Sequence, residues 1–136
     1  MVEIDVVYEG DLHTEALHGP SGNTLTTDAP KDNEGRGESF SPTDLVATAL
    51  GTCMITIMGI AARRKGLALE GARVRVRKLM TMEPVRRIGK LEVVFDLPAG
   101  LSEADRAVLE RAALACPVHK SLHPDTEIPV TFNYGS

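Results

Sequence analysis

The chain has no tryptophan and only five other aromatic residues, three Phe and two Tyr, among 136. Its core must therefore come from Leu, Val, Ile, Ala and Met rather than from large rings. Cysteine is scarce too, with two in the whole chain. Two cysteines do not make a disulfide scaffold, so both are expected to start as thiols in a reducing, cytoplasmic setting. Positive charge is not in excess: the net charge is −4. That balance argues against a nucleic-acid partner or an anionic membrane surface, both of which select a basic face. No basic segment followed by an apolar one opens the chain, so no signal peptide is read. Arginine is absent from the first 35 residues, a gap that bears on the chemistry below.

What is present fits one domain over residues 1–136, the usual size for a single core. Residues 2–8 and 12–18 read as strands around a turn at Glu9-Gly10-Asp11, and "NTLTT" as a third strand. The stretch "DAPKDNEGRGESFSP" carries charge, Gly and Pro without periodicity, and a loop of that length is commonly functional. A helix opens at Ser41-Pro42-Thr43-Asp44, with serine as N-cap, proline at N1 and an acid at N3. Arg63-Arg64-Lys65 suit its C-terminal dipole and Gly66 stops it. Residues 72–82 alternate Val74 and Val76 against Arg73, Arg75 and Arg77, a strand with one wet face. "KLEVVFDLP" is a further strand, Ser102 caps a second helix, and "EIPVTFNY" closes the chain as an edge strand because of Pro129. The order predicts an α+β domain.

Leu45–Ala62 carries no charge and reaches the lower length limit of a spanning helix. Its three threonines and two glycines, and its isolation as a single such segment, favour a helix buried on all sides over a membrane span. Along it Leu45, Ala49, Cys53, Ile57 and Ala61 recur every four residues and share a face. On the second helix Val108, Leu109, Ala112 and Cys116 form the apolar stripe. Two inward cysteines on packed helices can be neighbours. They can equally be small core residues, a common fate of free cysteine. Pro117 interrupts the helix directly after Cys116, which a core residue does not require. Cys116, His119 and His123 offer three metal ligands, one short of a structural zinc site unless Cys53 completes it. No metal or cofactor is expected. A Cys116–His119 hydrolase pair is also conceivable, but nothing suggests an oxyanion hole.

"SPTDLVATALGTCM", followed some sixty residues later by "ACPVHKSL", resembles the OsmC/Ohr family, osmotically inducible and organic hydroperoxide resistance proteins. The resemblance covers most of the chain and is most specific around the two cysteines. It implies an intertwined homodimer with strands on both sides of a long cysteine-bearing helix, and a second helix ending in Cys-Pro. It also implies a stress-response antioxidant enzyme in which Cys53 attacks an organic hydroperoxide and Cys116 resolves the product as a disulfide. A dithiol, lipoyl-type or a small thiol, restores it. The peroxidases of the family place a glutamate after the helix-opening proline, where this chain has Thr43. They also place an arginine near the N-terminal strands. Arg36 and Glu38, in the loop before the helix, are the nearest substitutes here.

Cys53 lies eleven residues beyond Pro42, about 16 Å along the axis at 1.5 Å per residue. The helix dipole fades within a turn and cannot activate it, so a thiolate there needs a cation from elsewhere in the fold or from a second subunit. A pocket of Leu50, Met54, Ile57 and Met58 around the thiol would favour organic over hydrogen peroxide. The competing readings are a module that binds an apolar ligand, and a thiol redox sensor without turnover.

Overall fold

The computed structural model describes residues 1–135. The chain divides into two compact units, Met1–Val46 and Ala47–Ser136. The first holds a three-stranded antiparallel sheet in the order β1-β2-β3, with β1 at Ile4–Gly10, β2 at His13–His18 and β3 at Thr24–Asp28. Leu12, expected at the head of the second strand, lies instead in the turn. Gly10 pairs with His13, and Asp11 and Leu12 both take positive φ, 53° and 60°. Two such residues match the right-handed twist of a hairpin, the type I′ pattern. The long loop that follows contains one 3-10 turn, Lys31–Asn33.

Helix α1, Pro42–Arg64, begins in the first unit and runs through the second. Its start is a reciprocal box: the Ser41 N–H donates to Asp44 Oδ2 at 2.9 Å, and the Asp44 N–H donates to Ser41 Oγ at 3.0 Å. Its end is a Schellman motif. The Leu67 N–H donates to the Ala62 carbonyl at 2.9 Å and the Gly66 N–H to the Arg63 carbonyl at 3.2 Å, with Gly66 at φ 68°.

In the second unit α1 packs with the sheet β4-β5-β6 and with helices α2 and α3. The strands are β4 at Arg73–Thr81, β5 at Arg87–Leu97 and β6 at Val130–Tyr134, while α2 spans Glu103–Leu114 and α3 Pro117–Ser121. β6 lies at an edge and runs parallel to β5. The wet face of β4 is as expected, with Arg73, Arg75 and Arg77 exposed and Val74 and Val76 half-buried. Gly51 explains how closely β4 approaches the helix. A Cβ there would stand 2.9 Å from Val76 Cγ2, so only glycine leaves room for that strand side chain.

The helix face differs from expectation. The buried residues of α1 are Ala47, Leu50, Gly51, Met54, Met58 and Ala62, one step round from the stripe through Cys53. Nor is α1 buried on all sides in the single chain, since Thr48, Thr52, Thr56 and Ile60 are exposed. By length and a hydropathy of 2.0, α1 could cross a membrane, but its core face is occupied by Leu91, Val93, Phe95 and Leu109 in one cluster.

Candidate functional site

α1 places Cys53 on the flank of its core face, half-buried and packed against the cluster that holds Met54 and Phe95. The break between α2 and α3 places Cys116 fully inside, at 0% exposure. Pro117 cannot continue α2, but at N1 of α3 it makes Cys116 the N-cap. The Cys116 sulfur accepts the His119 N–H at 3.1 Å, and the Lys120 N–H donates to the Cys116 carbonyl at 3.1 Å.

The two thiols are neighbours. Cys53 packs against the core cluster that contains Cys116, close enough to act on its thiol, and both cysteines are free. Burial pushes the Cys116 thiol above its ordinary range; the backbone N–H groups of His119 and Val118 pull it back, and the contact with Cys53 adds to the rise. Cys116 is thus held protonated at neutral pH. A pair of this kind can close to a disulfide with a small movement.

The other expected site residues belong to the first unit. Arg36 is exposed and pairs with Asp11 at 3.3 Å, the two side chains being 57% and 81% exposed. Glu38 is exposed as well, and the carboxylate on the Arg36 guanidinium is Asp11, across the loop on the β1–β2 turn. Asp11 was not foreseen, because nothing in the local sequence links positions 25 residues apart. The expected pocket also changes. Leu50, Met54 and Met58 are 0% exposed and Ile57 is half-buried against the same cluster; they fill the core, because the side chains that reach into the sheet are the ones that β5 covers. A cleft of about 480 Å³ lies further along α1, between Thr56, Gly59, Ile60 and Arg63 on the helix and Leu67, Leu69 and Glu70 after it. Cys53 does not line it.

His123 does not join a metal set: its Nδ1 accepts the Asp125 N–H at 3.0 Å. Among the described residues no group of three or more His, Cys, Asp or Glu is placed to hold a metal ion. In the first unit, His13 Nδ1 lies 2.6 Å from Asp28 Oδ1 and its Nε2 lies 3.5 Å from Glu9, a polar link that sequence reasoning missed. The signal for it was the pairing of His13 with Asp28 in the β2–β3 register, which needs the turn at Asp11-Leu12 to be known first.

Comparison with known proteins follows the same outline. The model of the OsmC-like protein family matches residues 35–132, across the α1 start and both cysteines. No curated protein sequence matches the chain. Among solved structures, one from Psychrobacter arcticus, provisionally described as an osmotic stress induced and detoxification response protein, is 42% identical. It has a TM-score of 0.92, over 98% of this chain and 96% of that one. An OsmC-like protein from Mycoplasma pneumoniae shares the fold at 16% identity and TM-score 0.83, over 100% of this chain and 98% of that one. An organic hydroperoxide resistance protein from Elizabethkingia anophelis shares it at 13% identity and TM-score 0.78, over 98% and 96%.

Proposed function

The chain belongs to the OsmC-like protein family, and from that premise we propose that it is a thiol-dependent peroxidase that reduces organic hydroperoxides. The observation that carries the proposal is the contact between the half-buried Cys53 and the buried Cys116 thiol. It gives the two sulfurs different tasks. Cys53, as thiolate, attacks the distal oxygen of R–O–O–H; the O–O bond breaks, the alkoxide leaves and takes a proton, and Cys53 becomes a sulfenic acid. Cys116, still carrying its hydrogen, condenses with that sulfenic acid, forming the S–S bond and releasing water. A dithiol of lipoyl type, or two molecules of a small thiol, then reduce the disulfide by exchange: the S–S bond between Cys53 and Cys116 breaks, both return as thiols, and the reductant leaves as a disulfide. Two free cysteines that cycle in this way fit a reducing compartment, the cytoplasm.

The preference for organic hydroperoxides is supported by the description of structural relatives such as the organic hydroperoxide resistance protein from Elizabethkingia anophelis, since the pocket expected from the sequence is filled by core side chains. Arg36 is the cation we assign to orient the peroxide and receive the charge of the leaving alkoxide. Asp11, rather than Glu38, holds it in place. We further infer a homodimer. Ile4, Val6 and Tyr8, alternate residues on one face of β1, are each more than half exposed, an apolar row of the kind that another protein surface covers.

Steady-state consumption of cumene hydroperoxide with a dithiol is the test. Many turnovers per protein are expected. A single oxidation event that does not recycle, or no reaction of the thiols at all, would overturn the proposal.

A further inference from the structure

The Cys116 sulfur has three partners in the reduced protein. One is Cys53; the others are the backbone N–H groups of Val118 and His119 at the first turn of α3, the latter 3.1 Å away. α3 is five residues long, too short to persist on its own hydrogen bonds. Besides this cap, the Lys120 N–H donates to the Cys116 carbonyl at 3.1 Å and Ser121 Oγ to the Pro117 carbonyl at 2.7 Å, and Val118 packs against the core cluster. The cap and the Lys120 bond both pass through Cys116.

Forming an S–S bond brings the sulfurs from hydrogen-bond contact to about 2.05 Å. The displacement is not shared equally. Cys53 lies deep inside a helix of 23 residues, with several turns on either side. Cys116 sits at the joint between α2 and α3, where Pro117 has already broken the ladder. The Cys116 sulfur is therefore the one expected to travel, away from the His119 amide.

We propose that closing the Cys53–Cys116 disulfide uncaps α3, so that the redox state of a buried pair is displayed at the surface as the order of Pro117–Ser121. Pro117, Lys120 and Ser121 are exposed, so the change is visible to whatever reduces the protein. A reductant that must find oxidised rather than reduced molecules is given a local difference to read. The inference rests on the reading of the two cysteines as a redox pair, but it does not need peroxide. Diamide takes one hydrogen from each thiol, becoming the hydrazine, and leaves the same disulfide.

Amide hydrogen exchange at His119 and Lys120, before and after diamide, tests it. Loss of an N-cap is expected to speed exchange at His119 by about tenfold. Cys53→Ser keeps the cap and cannot form the bond, so its exchange stays slow with diamide. Cys116→Ala lacks the cap and exchanges fast without oxidant, whereas Cys116→Ser, a good N-cap, stays slow in both conditions. If wild-type protein forms the disulfide with His119 exchange unchanged, the inference is wrong. It is equally wrong if diamide yields no disulfide, or if Cys116→Ala is as protected as wild type. A diamide disulfide with fast His119 exchange, in a protein that does not turn over cumene hydroperoxide, would leave this inference standing and remove the peroxidase.

Discussion

The buried apolar side chains of the described residues all lie in Ala47–Ser136, whereas the buried side chains of Met1–Val46 are Thr27, Asp28 and Ser41, all polar. Charge divides the same way. Met1–Val46 has ten acidic residues against two basic ones, a net −8, and the rest has nine against thirteen, a net +4, which together give the −4 of the chain. One unit has a core and both cysteines. The other has a sheet with exposed apolar residues, an acidic excess, and the loop that carries Arg36. The contrast teaches that the thiol pair is built by packing, while the N-terminal unit holds its shape by hydrogen bonds and presents its apolar residues outward.

The largest effect expected from that division is on chemistry. Cys53→Ser should abolish peroxide consumption, since the attacking sulfur is gone. Cys116→Ser should still consume one equivalent and leave a sulfenic acid that dimedone traps. Rapid oxidation of Cys116 in the absence of Cys53 would reverse the assignment of roles.

Stability comes next. Phe95 is fully buried and stacks on Phe132 with ring centroids 5.0 Å apart, so Phe95→Ala should cost about 3–5 kcal/mol in denaturant unfolding. Val6 is 62% exposed, and Val6→Ala should stay within about 0.5 kcal/mol for an isolated chain. Val6→Lys with Tyr8→Lys sharpens the comparison: light scattering at micromolar concentration should move from a dimer mass to a monomer mass. A wild-type protein that is already monomeric there would remove the role proposed for the exposed sheet.

The same contrast decides what could be read from the sequence. Capping is local chemistry, so the α1 box at Ser41-Asp44, the Gly66 stop and the Ser102 cap were all legible, the last with the Asp105 N–H on Ser102 Oγ at 3.1 Å. Strand alternation revealed β4. The burial of Cys116 followed from its stripe, and the Pro117 that was read as an interruption also carried the N-cap. The face of α1 was not legible, because a helix apolar on nearly every side has no periodic direction. Gly51 fixes that face through Val76, and the contact exists only once β4 is in place. Arg36 with Asp11, and His13 with Asp28, join residues distant in sequence; the turn itself was announced by Gly10, but nothing local marked Leu12 as part of it, and His13 meets Asp28 only through the β2–β3 register.

Smaller effects are expected in the first unit. A cation that merely deprotonates a thiol gains about two- to threefold in rate, because nucleophilicity falls with basicity. Arg36 must therefore act mainly on the peroxide, and Arg36→Lys should lose about tenfold or more in kcat/KM although the charge is kept. Asp11→Asn should lose at most about fivefold, the scale of an exposed ion pair. If Arg36→Ala and Arg36→Lys both retain wild-type turnover, the activating cation lies elsewhere.

The smallest effect is one of pH, and it belongs to His13. Its pKa is raised from 6.5, first by the hydrogen bond to Asp28, with the charges of Asp28 and Glu9 adding to this, against opposing contributions from desolvation and Arg36. A raised pKa means that the folded sheet favours the protonated ring. That support is fully present below pH 6.5 and is lost as pH rises through the folded value. The link ties β1, β2 and β3 through Glu9, His13 and Asp28, so the loss should be local. Amide exchange in Ile4–Asp28, corrected for its intrinsic pH dependence, should show less protection at about pH 8 than at about pH 6, while β4–β6 stay unchanged. His13→Gln should flatten that dependence. A histidine titration by NMR with its midpoint at or below 6.5 would remove the effect altogether, and the link would then be a neutral hydrogen bond that holds the sheet equally at either pH.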